Sequence, residues 1–377
     1  MSQQVAIARR TLQYHRKRLV AALAGVVFAV ILVNMEVGIL LGFMANATGF
    51  IDRLPGDVWI MSRGTPNFDM CHEIAEPNLQ RVRAIEGVDW ADKMIVAWSV
   101  WKTAEGREEN LEVVGIETGS RLEVPWPVEP PEAARLGDPH GVIIDRAEQQ
   151  RLQVASAGDA AEIMDNRVKV AGFTTGMRSF TTTPYVIMRF EHAEKSSLLP
   201  PNTTSYIVAK ARPDWTPERL REHMTRELPM VDVLTTEEFH ARTRDYWLFT
   251  TGVGTAFFMA ALLGFLVGGA VVGQVLYALV VEQRGEFGVL KAMGASRGFL
   301  CRVVLGQALI IALSGYAAGL ALTLPLISLM RSMGTPMTLT WPLAAGGFAA
   351  VVAVCLGAAI LPLLKLLRLE PALVFRG

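Results

Sequence analysis

Residues 246–281 read YWLFTTGVGTAFFMAALLGFLVGGAVVGQVLYALVV and contain no Asp, Glu, Lys or Arg. A helix needs about 20 apolar residues to cross the hydrocarbon core of a bilayer, and shorter apolar runs of about 10–14 residues are typical of buried soluble helices. Three further stretches meet the criterion: residues 303–330, residues 341–364 and residues 19–51, the last interrupted only by Glu36. The sequence therefore predicts an integral membrane protein with four transmembrane helices. The first stretch is too long for a signal-peptide core, so we expect it to be retained.

Basic residues beside these stretches predict how the chain is oriented. Residues 2–18 carry five Lys or Arg and no acid, and further basic residues lie in 282–302 and 365–377. Since Lys and Arg next to membrane helices favour the cytoplasm, both termini and the 282–302 loop are expected inside, with residues 46–245 outside. Trp247 and Trp341 then fall at the outer membrane interface, where aromatic side chains are common.

The overall formal charge of zero is the sum of two regions with net charges of opposite sign. Residues 46–245 contain 32 acidic and 23 basic residues, a net charge of −9 (23 minus 32), whereas the inner segments are basic. Because the outer region has no basic stripe and the inner charges fit the topology, nucleic-acid binding is not indicated. The three cysteines are Cys71, Cys301 and Cys355, and only the first lies in the outer region, so no disulfide is expected within it.

The outer region is predicted to be a mixed α/β domain. Runs of β-branched and aromatic residues at 93–101 and 110–116 flank Glu105 and Gly106, which is typical of a hairpin. Trp98 and Trp101 should point to opposite faces of their strand, one into the core and one out. Two β-α-β units, one at each end of the region, are expected to pack together around a β-rich insertion at about 110–195, with a solvated polar loop at 174–183. The other predicted strands are 57–62, 141–144, 167–173, 184–189, 205–210 and 231–234, and the predicted helices are 77–85, 145–152 and 215–228.

A long helix is predicted to lead from the outer domain into the second membrane stretch. Thr235 followed by Glu238 is a capping-box pattern, which marks a helix start. A continuous helix from 236 to 281 would be about 69 Å long, against a hydrocarbon core of about 30 Å. A kink at Gly252 or Gly254 would shorten its reach. We expect the first and second helices to form a stalk that carries movement between the two membrane faces.

The segment 280–303, VVEQRGEFGVLKAMGASRGFLCRV, is the most informative part of the predicted cytoplasmic surface. Phe287, Leu290 and Met293 are spaced as one apolar stripe of a helix, and Gly294 is a suitable helix stop. A short helix of this kind docks by its apolar face into a groove of a partner protein, or rests that face on lipid. The pattern alone leaves both alternatives open.

The same run, residues 282–295, resembles the signature of the FtsX-like, or MacB-type, ABC permease superfamily. The resemblance extends over the whole chain through the order of four helices and a large outer domain, here with a porter-like β-α-β subdomain and an inserted β-rich one. In that family this helix couples the permease to its ATPase, and Phe287 stands where Ile is commoner. The residues to which the resemblance assigns this coupling role are Glu282, Arg284, Glu286, Phe287, Leu290, Lys291, Met293 and Gly294.

Residues 19–43, 49–62 and 178–186 resemble the DevC-type branch of that superfamily, whose members export material together with other envelope proteins. The resemblance implies a periplasmic adaptor (a membrane fusion protein), a TolC-like outer-membrane channel and location in the bacterial inner membrane. It also implies a non-enzymatic permease subunit of a mechanotransmission-type exporter. Alternatives are an FtsX-like signal transducer acting on cell-wall hydrolases, a lipoprotein-release permease and, from the enzyme class, a membrane-anchored hydrolase.

The chain lacks its own ATP-binding motif. No Gly-Lys pair occurs in the sequence, so a phosphate-binding loop of the GxxxxGK[ST] type is absent. No catalytic or metal-binding set stands out: after His72-Glu73, the position that a second zinc-ligating His would take holds Glu76, and Pro77 follows. ATP and Mg are therefore expected on a separate ATPase. Because such ATPases act as pairs, a second copy of this chain is also expected.

Two smaller groups of membrane residues are candidate sites. Asn34 and Glu36 lie within the first stretch, where polar groups are costly, and either line a cavity or reach the outer interface. Gly264, Gly268, Gly269 and Gly273 form small-residue spacings that allow close helix packing or a dimer seam. The predicted segments are 1–18 (cytoplasmic, amphipathic), 19–51 (helix 1 and stalk), 52–235 (periplasmic), 236–281 (stalk and helix 2), 282–298 (coupling helix), 299–330 (helix 3), 341–364 (helix 4) and 365–377 (cytoplasmic tail).

Overall fold

The computed structural model describes residue 14 and residues 16–103, 105–332 and 335–367. The predicted segments 1–18 and 365–377 therefore lie largely outside the described residues. The helices α1 to α11 are Arg16–Ala47, Gly49–Arg53, Asn78–Ala84, Phe190–Lys195, Pro217–Glu227, Thr236–Asp245, Val253–Glu282, Arg284–Ala292, Arg297–Ser332, Trp341–Ala358 and Ile360–Leu367. The strands β1 to β12 are Val58–Ser62, Ile74–Ala75, Val88–Lys102, Glu108–Ile116, Val128–Glu129, Gly141–Asp145, Ala160–Ile163, Asn166–Thr174, Tyr185–Arg189, Thr203–Thr204, Tyr206–Ala211 and Val231–Thr235.

The chain divides into two compact units, a helical one of residues 1–42 and 253–377 and a sheet-containing one of residues 43–252. Among the described residues, four helices are long and apolar enough to cross a membrane: α1, α7, α9, and α10 together with α11. The sheet-containing unit lies between the first two of them in the chain. The predicted fold class, four membrane helices with a large α/β domain between helices 1 and 2, is confirmed.

Glycines bring the helices of the helical unit into close contact. A Cβ atom added to Gly264 would lie 2.4 Å from Leu32 Cδ2, and one on Gly268 would lie 2.6 Å from Ala29 Cβ, so α7 approaches α1 more closely than larger residues allow. Gly269 and Gly273 face α10 in the same way, at 2.8 Å from Val354 and 3.4 Å from Ala358. All four glycines therefore pack against helices of the same chain.

The sheet-containing unit is built on one large sheet of ten strands within the described residues, in the order β12-β1-β11-β3-β4-β9-β6-β8-β5, with β7 against β3 and β8. The outer β-α-β units pack together as predicted, and their strands also interleave, because β1 lies between β11 and β12. Helices α3 and α5 cover one face of this end through Leu79, Val82, Leu220 and Met224. The middle strands continue the same sheet rather than forming a second one.

The β3–β4 hairpin is present, with Trp98 half exposed and Trp101 fully buried, as the alternation of side chains predicts. The predicted helix 145–152 is wrong. Asp145 ends β6, and its carboxylate accepts hydrogen bonds from the amides of Ala147 and Met177, which leaves only a short 3₁₀ turn at Arg146–Glu148. Such side-chain to backbone bonds compete with helix formation.

The helix leading to the second membrane stretch begins as predicted and then breaks. Thr235 and Glu238 form the reciprocal capping box of α6. A π-helical turn, Tyr246–Thr250, follows, and Gly252 takes a left-handed φ of 76°, which ends helical geometry before α7 begins at Val253. The expected continuous helix of 236–281 is therefore two helices joined at Gly252. Helix α7, with 30 residues, is still about 45 Å long.

Candidate functional site

The short helix α8 is fixed at its end by backbone geometry. Gly294 has a φ of 90°, its amide donates to the Lys291 carbonyl at 3.1 Å, and the Ala295 amide donates to the Leu290 carbonyl at 2.9 Å. This pair of bonds is the Schellman arrangement, which satisfies the last carbonyls of a helix and needs a residue that tolerates positive φ. The chain therefore stops α8 at the predicted glycine and turns sharply into α9.

The predicted apolar stripe of α8 is divided between the core and the surface. Phe287 is only 4% exposed and belongs to the same apolar cluster as residues of α1, α7, α9 and α10. Leu290 is half-buried against that cluster, whereas Met293 is 76% exposed. The stripe is therefore not free to dock as a whole, because its first two residues hold α8 to its own chain.

A different face of α8 is open. Glu286, Val289 and Met293 follow one another at spacings of three and four residues, which puts them on one side of the helix, and all three are exposed. Val289 is 47% exposed. Arg284 is the first residue of the helix and Lys291 lies in its last turn, where it is half-buried. The open face thus combines one carboxylate with two apolar side chains.

The junction between α7 and α8 is tied to α1. The Glu282 carboxylate accepts a hydrogen bond from the Arg18 guanidinium in a salt bridge. Gln283, the residue before α8, is buried, and its side-chain Nε2 has no hydrogen-bond partner among the described residues. A half-exposed ion pair adds little stability, about 0–1 kcal/mol, but it fixes where the start of α1 meets this junction.

The two polar residues of α1 occupy different surroundings. Asn34 is 1% exposed, and its Oδ1 lies 3.8 Å from the position of a Cβ on Gly347, close to Tyr316. The side chain therefore faces α10 and α9 in a packed interior of this chain. Glu36 is half-buried. The cavity role expected for Asn34 and Glu36 stays a prediction.

The segment 174–183 of the sheet-containing unit is solvated only in part, because residues 175–176 and 181–182 are exposed whereas Thr174, Met177, Ser179 and Thr183 are buried. The Ser179 hydroxyl donates to the Thr183 carbonyl and accepts from the Thr183 amide, both at 2.9 Å, so the polar residues satisfy one another. Phe180 stacks on Trp247 with ring centroids 3.8 Å apart and also contacts Phe43 at 5.5 Å. Trp247 is consequently buried, and its place at the outer membrane interface stays a prediction.

Sequence reasoning also missed a pair of buried acids, Asp69 and Glu112. A signal was present for the second, because Glu112 stands in the run LEVVGI of β4, at a position where alternation predicts a core side chain. Asp69 lies in an irregular segment, where no periodicity shows burial.

Comparison with known proteins gives a matching family model and several sequence relatives. Residues 258–371 match the family model described as the FtsX-like permease C-terminal. The chain is 25% identical over 382 residues to an uncharacterized ABC transporter permease of Mycobacterium bovis, covering 98% of this chain and 99% of the relative. A relative of the same description in Mycobacterium tuberculosis strain H37Rv is 25% identical over 384 residues, with the same coverage. The macrolide export ATP-binding/permease protein MacB of Sodalis glossinidius is 29% identical over 116 residues, 30% of this chain and 18% of that protein.

Two solved structures align with about half of the chain. The periplasmic region of MacB from Actinobacillus actinomycetemcomitans aligns at 8% identity and a TM-score of 0.35, covering 49% of this chain and 90% of that one. The extracellular domain of the ABC-type transporter YknZ from Gram-positive bacteria aligns at 14% identity and a TM-score of 0.34, covering 48% of this chain and 98% of that one.

Proposed function

We propose that this chain, an ABC transporter permease of the FtsX and MacB type, is the membrane subunit of a mechanotransmission exporter. A separate ATPase would drive that exporter. The observation that carries the proposal is the division of α8. One face of the helix packs into the apolar cluster of the membrane helices, and the opposite face presents Glu286, Val289 and Met293. A helix anchored on one side and open on the other can receive a partner and pass its movement inward.

The anchored side supplies the route for that movement. Phe287 and Leu290 pack against the cluster to which α1, α7, α9 and α10 all contribute, so a displacement of α8 acts on four helices at once. The Arg18–Glu282 salt bridge adds a direct connection from the α7–α8 junction to the start of α1. The chain segments that flank the sheet-containing unit are α1 and α7, so both of its ends are reached through helices that α8 can move.

The free energy that shifts the permease between conformations must come from a difference in how tightly the ATPase binds each of them. An ATPase moves the permease only if its ATP-bound form prefers one permease conformation over the other, because a partner with equal affinity for both shifts nothing. ATP and Mg would be held by the partner, which acts as a pair and so engages two copies of this chain. This chain would contribute the docking face of α8 and no cofactor ligand.

In the proposed assembly the permease is a multi-pass protein of the bacterial inner membrane, with both termini cytoplasmic and residues 46–245 periplasmic. A periplasmic adaptor and a TolC-like outer-membrane channel complete the path. The basic residues beside the membrane helices support the orientation. The resemblance of residues 178–186 to the DevC-type branch supports export with an adaptor.

Charge reversal at Glu286 tests the docking role. The variant Glu286→Arg should fold like the parent, because the side chain is exposed, yet co-purify far less ATPase from the native host and lose stimulation of ATP hydrolysis. Glu227→Arg, at an exposed position of α5, is the matched control and should retain both. Undiminished recovery of the ATPase with Glu286→Arg would contradict the proposal.

A further inference from the structure

Two acidic side chains meet inside the sheet-containing unit. Asp69 belongs to the segment of residues 65–71 that follows β1, and Glu112 lies in the middle of β4. They are 3% and 0% exposed. Buried carboxyl groups are costly unless they are paired or protonated, so this contact needs an interaction that offsets the cost.

The hydrogen bonds around the two acids indicate a shared proton. The Tyr185 hydroxyl donates to Asp69 Oδ1, and Tyr185 lies directly opposite Glu112 in the register of β4 and β9, so the two carboxyl groups lie on either side of one tyrosine. Among the described residues, both Glu112 oxygens and Asp69 Oδ2 have no donor to accept from. An ionised carboxylate can only accept, so a bond between the two groups exists only when one of them is protonated. Tyr185 favours the charge on Asp69, which leaves the proton on Glu112.

Within the described residues, the titratable side chains that face the pair carry no positive charge that could offset a second negative one. These groups are Tyr185 of β9, Tyr206 of β11 and Cys71 of the segment itself, and none of them is a cation. Burial raises the pKa of Asp69 to about 6, against a partial lowering by the hydrogen bonds from Tyr185 and Glu112. Burial, and then the neighbouring Asp69 charge, raise the pKa of Glu112 well above its ordinary value.

The segment that carries Asp69 covers one face of the sheet. Phe68 stacks on Phe50 and on Tyr206, with ring centroids 5.1 and 5.5 Å apart, and the Tyr206 hydroxyl donates to the Phe68 carbonyl at 2.8 Å. The Cys71 thiol donates to the Val96 carbonyl of β3 at 3.1 Å. Asp69 is thus the acidic residue of a segment whose other contacts are aromatic and neutral apart from one, the Arg242 guanidinium, which donates to the Thr65 carbonyl at 3.4 Å.

We propose that Asp69 and Glu112 form a proton-held latch: a proton shared between them fastens residues 65–71 to β4, and loss of that proton releases the segment. Both folded-state pKa values lie above those of an unfolded chain, about 4 for Asp and Glu. The latch therefore contributes its full stabilisation in acid. Part of that stabilisation is lost as the pH rises through about 6, the pKa of Asp69, and the rest is lost when Glu112 ionises at higher pH. The device does not depend on the export function.

The thiol of Cys71 reports opening in the full-length protein. A parent with Cys301→Ala and Cys355→Ala carries Cys71 as its one thiol. The rate at which a maleimide labels Cys71 is measured from pH 6 to pH 9.5. At each pH this rate is divided by the fraction of thiolate in a free cysteine peptide, which gives the corrected rate. The corrected rate should rise with pH, by up to about tenfold for each pH unit over which a latch proton is lost. In Glu112→Gln, whose amide donates to Asp69 without titrating, the corrected rate should be flat above pH 7.

Glu108→Gln, an exposed position of the same strand, is the matched control and should keep the parent profile. The proposal is overturned if Glu112→Gln keeps the pH dependence of the parent. Should Glu112→Gln fail to fold, amide hydrogen exchange of residues 65–71 in the unaltered chain decides instead. After correction for the intrinsic pH dependence of exchange, protection must be lower at pH 9 than at pH 6, and equal protection overturns the latch.

Discussion

The Phe180 ring lies stacked on the indole of Trp247, with 3.8 Å between centroids and an interplanar angle of 21°. The two residues come from distant parts of the sheet-containing unit: Phe180 from the connection between β8 and β9, and Trp247 from the π-helical turn just before Gly252. Phe43, near the end of α1, touches the same Phe180 ring. One loop residue thus holds together the two ends of this unit that continue into membrane helices.

Removing this contact should loosen the 174–183 loop. Phe180→Ala deletes a stacked ring worth about 0.5–1.5 kcal/mol beyond its buried area, so we expect a local opening equilibrium roughly tenfold more favourable. Limited trypsin digestion of the full-length protein measures this through cleavage after Arg178, which lies in the loop. Phe180→Tyr, which keeps the ring, should be cut at the parental rate. Equal cleavage of Phe180→Ala and the parent would show that the stacking does not hold the loop.

The turn after α8 gives a prediction in which two glycines behave oppositely. Gly294 has a φ of 90° and open space around it, so Gly294→Ala introduces backbone strain of about 1–2 kcal/mol without a clash. Gly285 is the second residue of α8 and has no atom within 4 Å of an added Cβ, so Gly285→Ala should stabilise the helix, by less than the roughly 1 kcal/mol of an interior position.

Hydrogen exchange of the α8 amides measures both changes. Exchange at Gly294 and Ala295 should be about tenfold faster in Gly294→Ala, and exchange along α8 should be slower in Gly285→Ala. If both alanine variants were slower to exchange than the parent, the left-handed turn would not be the element that ends the helix.

The division of α8 predicts that two apolar residues on it affect different properties. Phe287→Ala opens a cavity in the apolar cluster and should lower the thermal stability of the detergent-solubilised protein, by about 2–4 kcal/mol in unfolding free energy. Met293→Ala removes an exposed side chain and should leave stability within about 0.5 kcal/mol, while weakening recovery of the ATPase. A loss of stability with Met293→Ala equal to that with Phe287→Ala would contradict the assignment of faces.

The membrane helices and the start of α6 could be predicted because their signals are local. An uncharged stretch long enough to cross a bilayer is rare among the helices of soluble proteins, and Thr235 with Glu238 satisfies a helix start within four residues. The periodicity of Phe287, Leu290 and Met293 correctly indicated a helix. It could not show what covers each face, because the other residues of the apolar cluster come from different helices of the chain, α1, α7, α9 and α10.

The features that sequence reasoning missed depend on contacts between distant parts of the chain. The polar residues of 174–183 predict a solvated loop, yet Ser179 and Thr183 are hydrogen-bonded to each other and Phe180 stacks on Trp247. Glu112 interrupts the buried run 111–116 of β4, and Asp69, which faces it, belongs to a different segment of the chain. The amino-acid composition gives no information about the contact of Phe180 with Trp247 or about the proximity of Asp69 to Glu112.

Site-specific photo-crosslinking from Val289 tests the central claim most directly. A photoreactive amino acid replaces Val289 on the open face of α8 or, as a control, Leu263, an exposed position within the membrane helix α7. After irradiation of native-host membranes, the account predicts a crosslinked ATP-binding polypeptide from position 289 and none from position 263. Absence of such a polypeptide at 289, or equal capture at both positions, would contradict the docking of an ATPase on α8.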